Sequence, residues 1–176
     1  MTLDDGLRRL LASSFVVRVT HTGRRSGAPR VLETTYYWDG GDKVYLSGYP
    51  GKRDWVANMG ARPDLTLYTV EGRPWMEVPV RARVVRNRRE RSAHIMRYVD
   101  RWTRLPGSER RLLLWVVRAA RANRALRLPW WGPFYLVRRV LDRMPCVELT
   151  MTGPPAARSE PPPTPTVPGR LGAENV

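Results

Sequence analysis

Cysteine occurs once in this chain, at Cys146, and histidine only twice, at His21 and His94. A lone thiol excludes an internal disulfide framework and a cysteine-rich zinc site. Two histidines leave little material for a histidine-based triad; carboxylate metal sites stay open, and no metal site is assigned. Lysine is nearly missing too, since Lys43 and Lys52 are the only two and the rest of the 31 basic side chains are arginine. No long apolar run exists either. Leu112–Val117 is the longest clear one, far short of the ~20 residues that span a bilayer. Met1–Leu10 carries two acids and lacks the apolar stretch of a signal peptide, so the protein is expected in the cytoplasm.

What is present suffices for one domain: 176 residues with 42% hydrophobic content can bury a core. The formal charge is +15, a field that attracts phosphates, nucleic acids or anionic membranes. Its distribution is uneven. Residues 87–143 carry 15 basic side chains against four acids, whereas residues 1–86 carry 14 against nine.

Residues 3–12 read as a short helix, with Asp4 and Asp5 in its first turn and leucines at 3, 7, 10 and 11. Phe15–His21 and Arg30–Trp38 are strand-like runs joined by the Gly-containing turn 22–29, which makes a hairpin. Asp39-Gly40-Gly41-Asp42 is a second hairpin turn leading into Lys43–Ser47. After a glycine loop, Asp54 caps a short helix over Trp55–Gly60. Leu65–Val70 and Pro74–Val85 form a further hairpin; in its second strand Met76, Val78, Val80, Ala82 and Val84 alternate with polar residues, and Pro79 argues for an edge or bulge. The period then turns helical, at about 88–103, 108–127 and 133–142, before a last strand, Met144–Met151. Seven prolines among residues 153–176 predict a disordered tail. The expectation is a mainly β (α+β) domain over residues 1–152: a small antiparallel barrel with a short N-terminal helix and a helical block inserted at about 88–142.

The segment Thr22-Gly-Arg-Arg-Ser-Gly-Ala-Pro-Arg30 combines backbone N–H groups at glycines, the Ser26 hydroxyl and three arginines. That is the equipment of an anion cradle, although the same composition also suits a solvated basic turn. Asp39-Gly40, a glycine loop over 48–53, Trp55-Val-Ala-Asn58-Met and Arg62-Pro63 follow it in order. The series resembles the deazaflavin-dependent nitroreductase and quinone reductase family, which carries a Gly-Arg-Lys/Arg-Ser/Thr-Gly-x-Pro-Arg turn, an Asp-Gly hairpin, a Gly-rich loop, a Trp-Tyr-x-Asn-Leu helix and an Ala-Asn-Pro turn. The likeness covers roughly residues 15–86, together with the closing strand.

That resemblance implies a split β-barrel related to the flavin-binding oxidases. It also implies reduced coenzyme F420 as hydride donor to a small electron-poor acceptor: a quinone, nitro compound or enone. Carried over by position, the coenzyme contacts would be Arg24, Arg25, Ser26, Arg30, Thr34, Thr35, Ser47, Gly48, Tyr49, Lys52, Trp55 and Asn58. The first two arginines and Arg30 would serve the phosphate and acidic tail, and Trp55 and Asn58 the wall around the ring. Trp55 also suits a core anchor. The chain departs from the family at Val56, at Arg62-Pro63 and before the last strand, where a tyrosine cluster is replaced by Trp130-Trp131-Gly-Pro-Phe134-Tyr135. Tyr135 is the candidate catalytic proton donor. FMN, haem or a lipid in the same barrel is the alternative.

Cys146 reads as buried packing and His94 as a surface residue. Within 108–127, Leu112, Trp115, Val116, Ala119 and Leu126 share one helical face and five arginines another. With the Trp pair beside it, the stretch 108–131 fits a packed helix with a solvated face, or else peripheral contact with an anionic membrane. Nucleic-acid binding is a rival from another class, disfavoured because the charge sits on helices with a substantial apolar face.

Overall fold

A computed structural model describes residues 4–102, 118, 122, 125–126 and 134–166, the side chains of 102 and 134–138 excepted. The elements in chain order are α1 (Asp5–Ser13), β1 (Val16–Thr22), β2 (Pro29–Trp38), β3 (Lys43–Ser47), α2 (Asp54–Ala61), β4 (Asp64–Thr69), β5 (Trp75–Val84), α3 (Arg88–Trp102), α4 (Phe134–Arg143), β6 (Cys146–Met151) and β7 (Ala156–Arg158). The strands run β4-β1-β2-β3-β6-β5-β7, and a further β4–β5 pairing closes the first six into an antiparallel barrel. Closure removes the free edges that an open sheet would leave. The fold is a split β-barrel with helices, as the sequence predicts.

Alternation along the strands fills the interior. Val17 and Val19 of β1, Val44 and Leu46 of β3, Leu65 and Leu67 of β4, and Met76, Val78 and Val80 of β5 are all buried in one cluster. Helix α1 lies at the end of the barrel where β1 begins. Asp4 caps it, its Oδ1 accepting from the Leu7 N–H at 3.0 Å, and Leu7 and Leu11 enter the core. Tyr36 ties β2 to this helix by donating to the Leu11 and Ser14 carbonyls at 2.9 and 3.0 Å. Helix α2 lies at the other end, so close to β5 that a Cβ on Gly60 would stand 3.1 Å from Val84. Asp54 is the first residue of α2 rather than its cap, and Arg53 holds the cap position without a side-chain bond.

Helix α3 packs over β2, β3 and β6 and adds a second cluster with Tyr45, Val85, Ile95, Tyr98, Val99 and Cys146. Its first turn is capped by Asn87, whose Oδ1 accepts from the Arg89 and Glu90 N–H groups. Cys146 is buried, which pushes its thiol up to about 12. His94 is not the expected surface residue: it is half-buried and stacks on Tyr45 with ring centroids 3.9 Å apart.

Pro79 sits where β5 passes from β7, paired with Trp75–Glu77, to β6, paired with Val80–Val84. Its carbonyl accepts from the Thr152 N–H, so its missing donor faces this junction, where no ladder partner needs it.

The described part of the tail departs from the expected disorder. Residues 156–158 pair with β5, and Arg158 bonds Glu77 and lies 5.4 Å over the Tyr68 ring. The Pro162 and Pro163 carbonyls accept from Arg18 Nη1 at 3.0 and 3.2 Å. Thr166 closes the segment onto β2, donating its N–H to Val31 O and accepting the Val31 N–H on its hydroxyl. Proline content does not preclude such a strap. Proline carbonyls still accept, and prolines carry no N–H to leave unpaired. Residues 167–176, and most of the expected helix at 108–127 with Trp130 and Trp131, lie outside the described residues.

Candidate functional site

The β1–β2 register pairs Val16 with Thr35 through to Thr22 with Pro29, which leaves residues 23–28 as a tight turn over α2. Gly23 donates to Ala28 O and Gly27 to Gly23 O, both at 2.9 Å. Gly27 adopts φ of 70°, a conformation that glycine takes without steric penalty. A Cβ on Gly23 would lie 2.6 Å from Ser26 Oγ, so any larger residue there would have to displace the Ser26 hydroxyl from the turn.

Arg24 locks this turn to α2. Its backbone N–H and Nη1 both donate to Asn58 Oδ1, at 3.2 and 3.0 Å, and Nη2 pairs with Asp54 at 2.9 Å. Asn58 is buried, as is His21 on the inner face of β1. Between turn and helix lies a cavity of about 420 Å³, within the ordinary range for small-ligand sites. Arg24, Arg25, Ser26 and Arg30 line it together with Val31, Leu32 and Trp55, and the buried His21 and Asn58 also reach it. Arg25 and Arg30 are exposed and enter no ion pair among the described residues. The arrangement offers free cationic forks and a hydroxyl beside an apolar, aromatic wall.

The remaining coenzyme candidates lie outside that cavity. Gly48 adjoins it, its missing Cβ pointing at the Trp55 ring at 3.8 Å. Thr34 Oγ1 donates to Ser47 O at 3.4 Å and Ser47 Oγ to Pro145 O at 2.7 Å. The Thr35 hydroxyl meets Tyr98 OH at 2.5 Å. Thr35 and Ser47 are buried, so their hydroxyls brace the β2–β3–β6 wall instead of facing a ligand. Tyr49 is 67% exposed, and Lys52 is exposed beyond the loop. Tyr135 falls in the first turn of α4, and its side chain lies outside the described residues. Of two further residues in this region, Tyr98 escaped the sequence reading, whereas His21 adjoins the anion turn in sequence and is a candidate phosphate contact on that ground. Tyr98 reaches the Thr35–Ser47 wall from α3, a contact with no local sequence signal. His21 had a second one: it is the polar residue in the apolar alternation Val17, Val19, His21.

A second polar cluster lies between the barrel and α3. Glu148, buried on β6, accepts from Arg83 Nε and Nη2 at 3.0 and 2.9 Å and from Tyr45 OH at 3.1 Å, with Lys43 at 3.4 Å. Burial alone would raise its carboxyl, but the bonds from Arg83 and Tyr45 hold it below the usual carboxylate range. Burial and the facing carboxylate push the Tyr45 phenol up. Glu90, His94 and Glu148 bring potential metal-ligand atoms within 4.8 Å of one another. The guanidinium of Arg83, bonded to both carboxylates, already supplies the positive charge there.

The barrel is shared with solved structures. A conserved hypothetical protein from Mycobacterium tuberculosis matches with a TM-score of 0.59 at 13% identity, over 97% of this chain and 95% of that one. A Listeria innocua protein named for pyridoxamine 5′-phosphate oxidase matches with 0.55 at 9% identity, over 89% and 98%. A Bacteroides thetaiotaomicron protein named for 5-nitroimidazole antibiotic resistance matches with 0.56 at 8% identity, over 85% and 81%. The chain thus shares the split-barrel fold of these proteins, and at these identities the likeness is one of fold. No family model matches the chain, and no curated protein matches its sequence. Among the described residues no helix is long and apolar enough to cross a membrane.

Proposed function

We propose that this chain is an oxidoreductase whose pocket between the β1–β2 turn and α2 binds the phosphate-bearing end of a flavin-type coenzyme. The observation that carries the reading is the pocket's make-up: Arg25, Arg30 and Ser26, with no side chain among the described residues engaging the two guanidinium groups, share the lining with Val31, Leu32 and Trp55. Phosphate recognition needs such forks and hydroxyls, and a flat ring system needs such a wall.

FMN is the first candidate, supported by the split-barrel fold, which the sequence relates to the flavin-binding oxidases. Reduced F420 is the second, favoured by the order of the turn at 23–30 and the helix at 55–59. Further basic residues outside the pocket, Lys52 and Arg53, suit its longer anionic tail. When bound, either coenzyme supplies hydride or electron transfer to a small acceptor such as a quinone, nitro compound or enone. The chain's own residues bind and orient: Arg25 and Arg30 neutralise the phosphate, Arg24 holds the turn in place through Asn58, and the apolar wall excludes water.

The test is a titration of the full-length protein with FMN and with F420, followed by tryptophan emission. At least one coenzyme is expected to quench saturably. A variant carrying Arg25→Ala and Arg30→Ala should bind it at least about tenfold more weakly, since well-formed charge-assisted bonds contribute ~1.5–3 kcal/mol each. Absence of binding by both, or unchanged affinity in the folded variant, refutes the reading. The ratio of the two affinities decides between the coenzymes.

A further inference from the structure

His21 occupies a position that the barrel otherwise gives to valine. Along β1 the inward residues are Val17, Val19 and His21. His21 is 4% exposed, yet it lines the pocket, and its Nδ1 meets no hydrogen-bond partner. A buried polar atom left unpaired costs about 1–3 kcal/mol, and a third valine would have avoided that cost. Among the orphaned atoms of the described residues, this one belongs to a ring that lines the pocket, so a ligand there can engage it.

Its surroundings define that use. His21 stands directly opposite Arg30 in the β1–β2 register, so both side chains leave the same face of the sheet. The charged groups around it are Arg30 of β2, Arg24 and Arg25 of the turn and Asp54 of α2, the last 87% exposed and paired with Arg24. Burial first, and Arg30 second, lower its pKa, and together they outweigh a backbone contact with Thr22 that raises it, so the ring is neutral at neutral pH without an anion beside it. An oxyanion held by Arg25 and Arg30 reverses both influences. It offsets the arginine's field and presents an acceptor to the ring N–H.

We infer that His21 is a third ligand of the anion in this pocket, donating a hydrogen bond to the bound oxyanion and taking up one proton as it binds. The inference rests on the reading of the pocket as an anion site and adds the class it prefers: a tetrahedral dianion, such as a phosphate monoester, over a singly charged group. It also makes binding proton-linked. Between the ring's pKa in the free protein and its higher value in the complex, affinity falls by up to about tenfold per pH unit as pH rises, and it is level outside that window.

Inorganic sulfate is a suitable probe, because it stays dianionic over about pH 5 to 8, where histidine titrates. Sulfate binding to the full chain is measured by calorimetry across that range, and the ring signal of His21, one of two histidines, is followed by NMR with and without sulfate. The signal is assigned from whichever single His→Gln variant folds. The expected result is a His21 titration displaced to higher pH by sulfate and an affinity that falls as pH rises. His21→Gln should still bind sulfate, with the slope gone. A slope that persists in His21→Gln overturns the role of His21. So does a His21 signal unmoved by sulfate whose binding is lost in Arg30→Ala; in both cases the anion site stands. Sulfate that fails to bind the wild-type protein at any of these pH values overturns both readings. If His21→Gln does not fold, the wild-type NMR titration decides alone.

Discussion

Replacing Asn58 by alanine should destabilise the protein by about 1–3 kcal/mol. Asn58 is buried, and its Oδ1 accepts twice from Arg24, once from the backbone and once from the guanidinium. A neutral bond is worth roughly 0.5–1.5 kcal/mol and a charge-assisted one roughly 1.5–3 kcal/mol, before allowing for water that reaches the vacated groups. Arg24 is only half-buried, which places the expected loss below the sum of those two ranges. Asp54 is the contrasting partner. It pairs with the same guanidinium at 2.9 Å, but its side chain is 87% exposed, and such pairs contribute about 0–1 kcal/mol. The assay is urea unfolding of Asn58→Ala, Asp54→Ala, Arg24→Ala and the two double variants. A coupling of about 1–2 kcal/mol is expected between Arg24 and Asn58, in the range found for contacting residues. Between Arg24 and Asp54 it should be at most about 0.5 kcal/mol and should shrink with salt. Additivity at Arg24–Asn58, or a larger coupling at Asp54, would refute the assignment of Asn58 as the anchor of the turn.

Tyr36→Phe removes the hydroxyl donor to the Leu11 and Ser14 carbonyls, but both still accept from Arg101, so urea unfolding should register a loss of only about 0.5–1.5 kcal/mol. Because burial pushes that phenol up to about 12, the neutral form should persist in a spectrophotometric titration to strongly alkaline pH. Thr166→Val removes the hydroxyl that accepts the Val31 N–H; hydrogen exchange at Val31 should speed up while β4 and β5 amides keep their protection. Glu148 titrates below its ordinary value of 4.5, so its ionised form stabilises the fold. That contribution is fully present at neutral pH and lost as pH falls through the lowered folded pKa. Glu148→Gln should therefore flatten the acid limb of a stability-against-pH curve, and an unchanged acid limb would remove Glu148 from the account.

The sequence by itself determined the barrel strands, because alternation of period two is local and strong: β5 reads in–out from Met76 to Val84 without help from any neighbour. It also determined the turn at 23–30, where glycine and arginine at fixed spacing prescribe both the backbone and the charge. Helix α2 was legible to within one residue; the cap was misassigned because Asp54 has a partner, Arg24, thirty residues away. Only the tertiary structure decided which candidates share a pocket. Thr35 and Ser47 turn their hydroxyls into the protein, since the β3–β6 pairing buries them. His21 adjoins the turn in sequence, but only the fold, which sets α2 beside that turn, makes it part of a pocket with Asp54, Trp55 and Asn58. The strap at 156–166 was illegible for the same reason. Proline composition reports what a segment cannot pair with itself, whereas its order comes from Arg18, Glu77 and Val31, which only the closed barrel brings alongside.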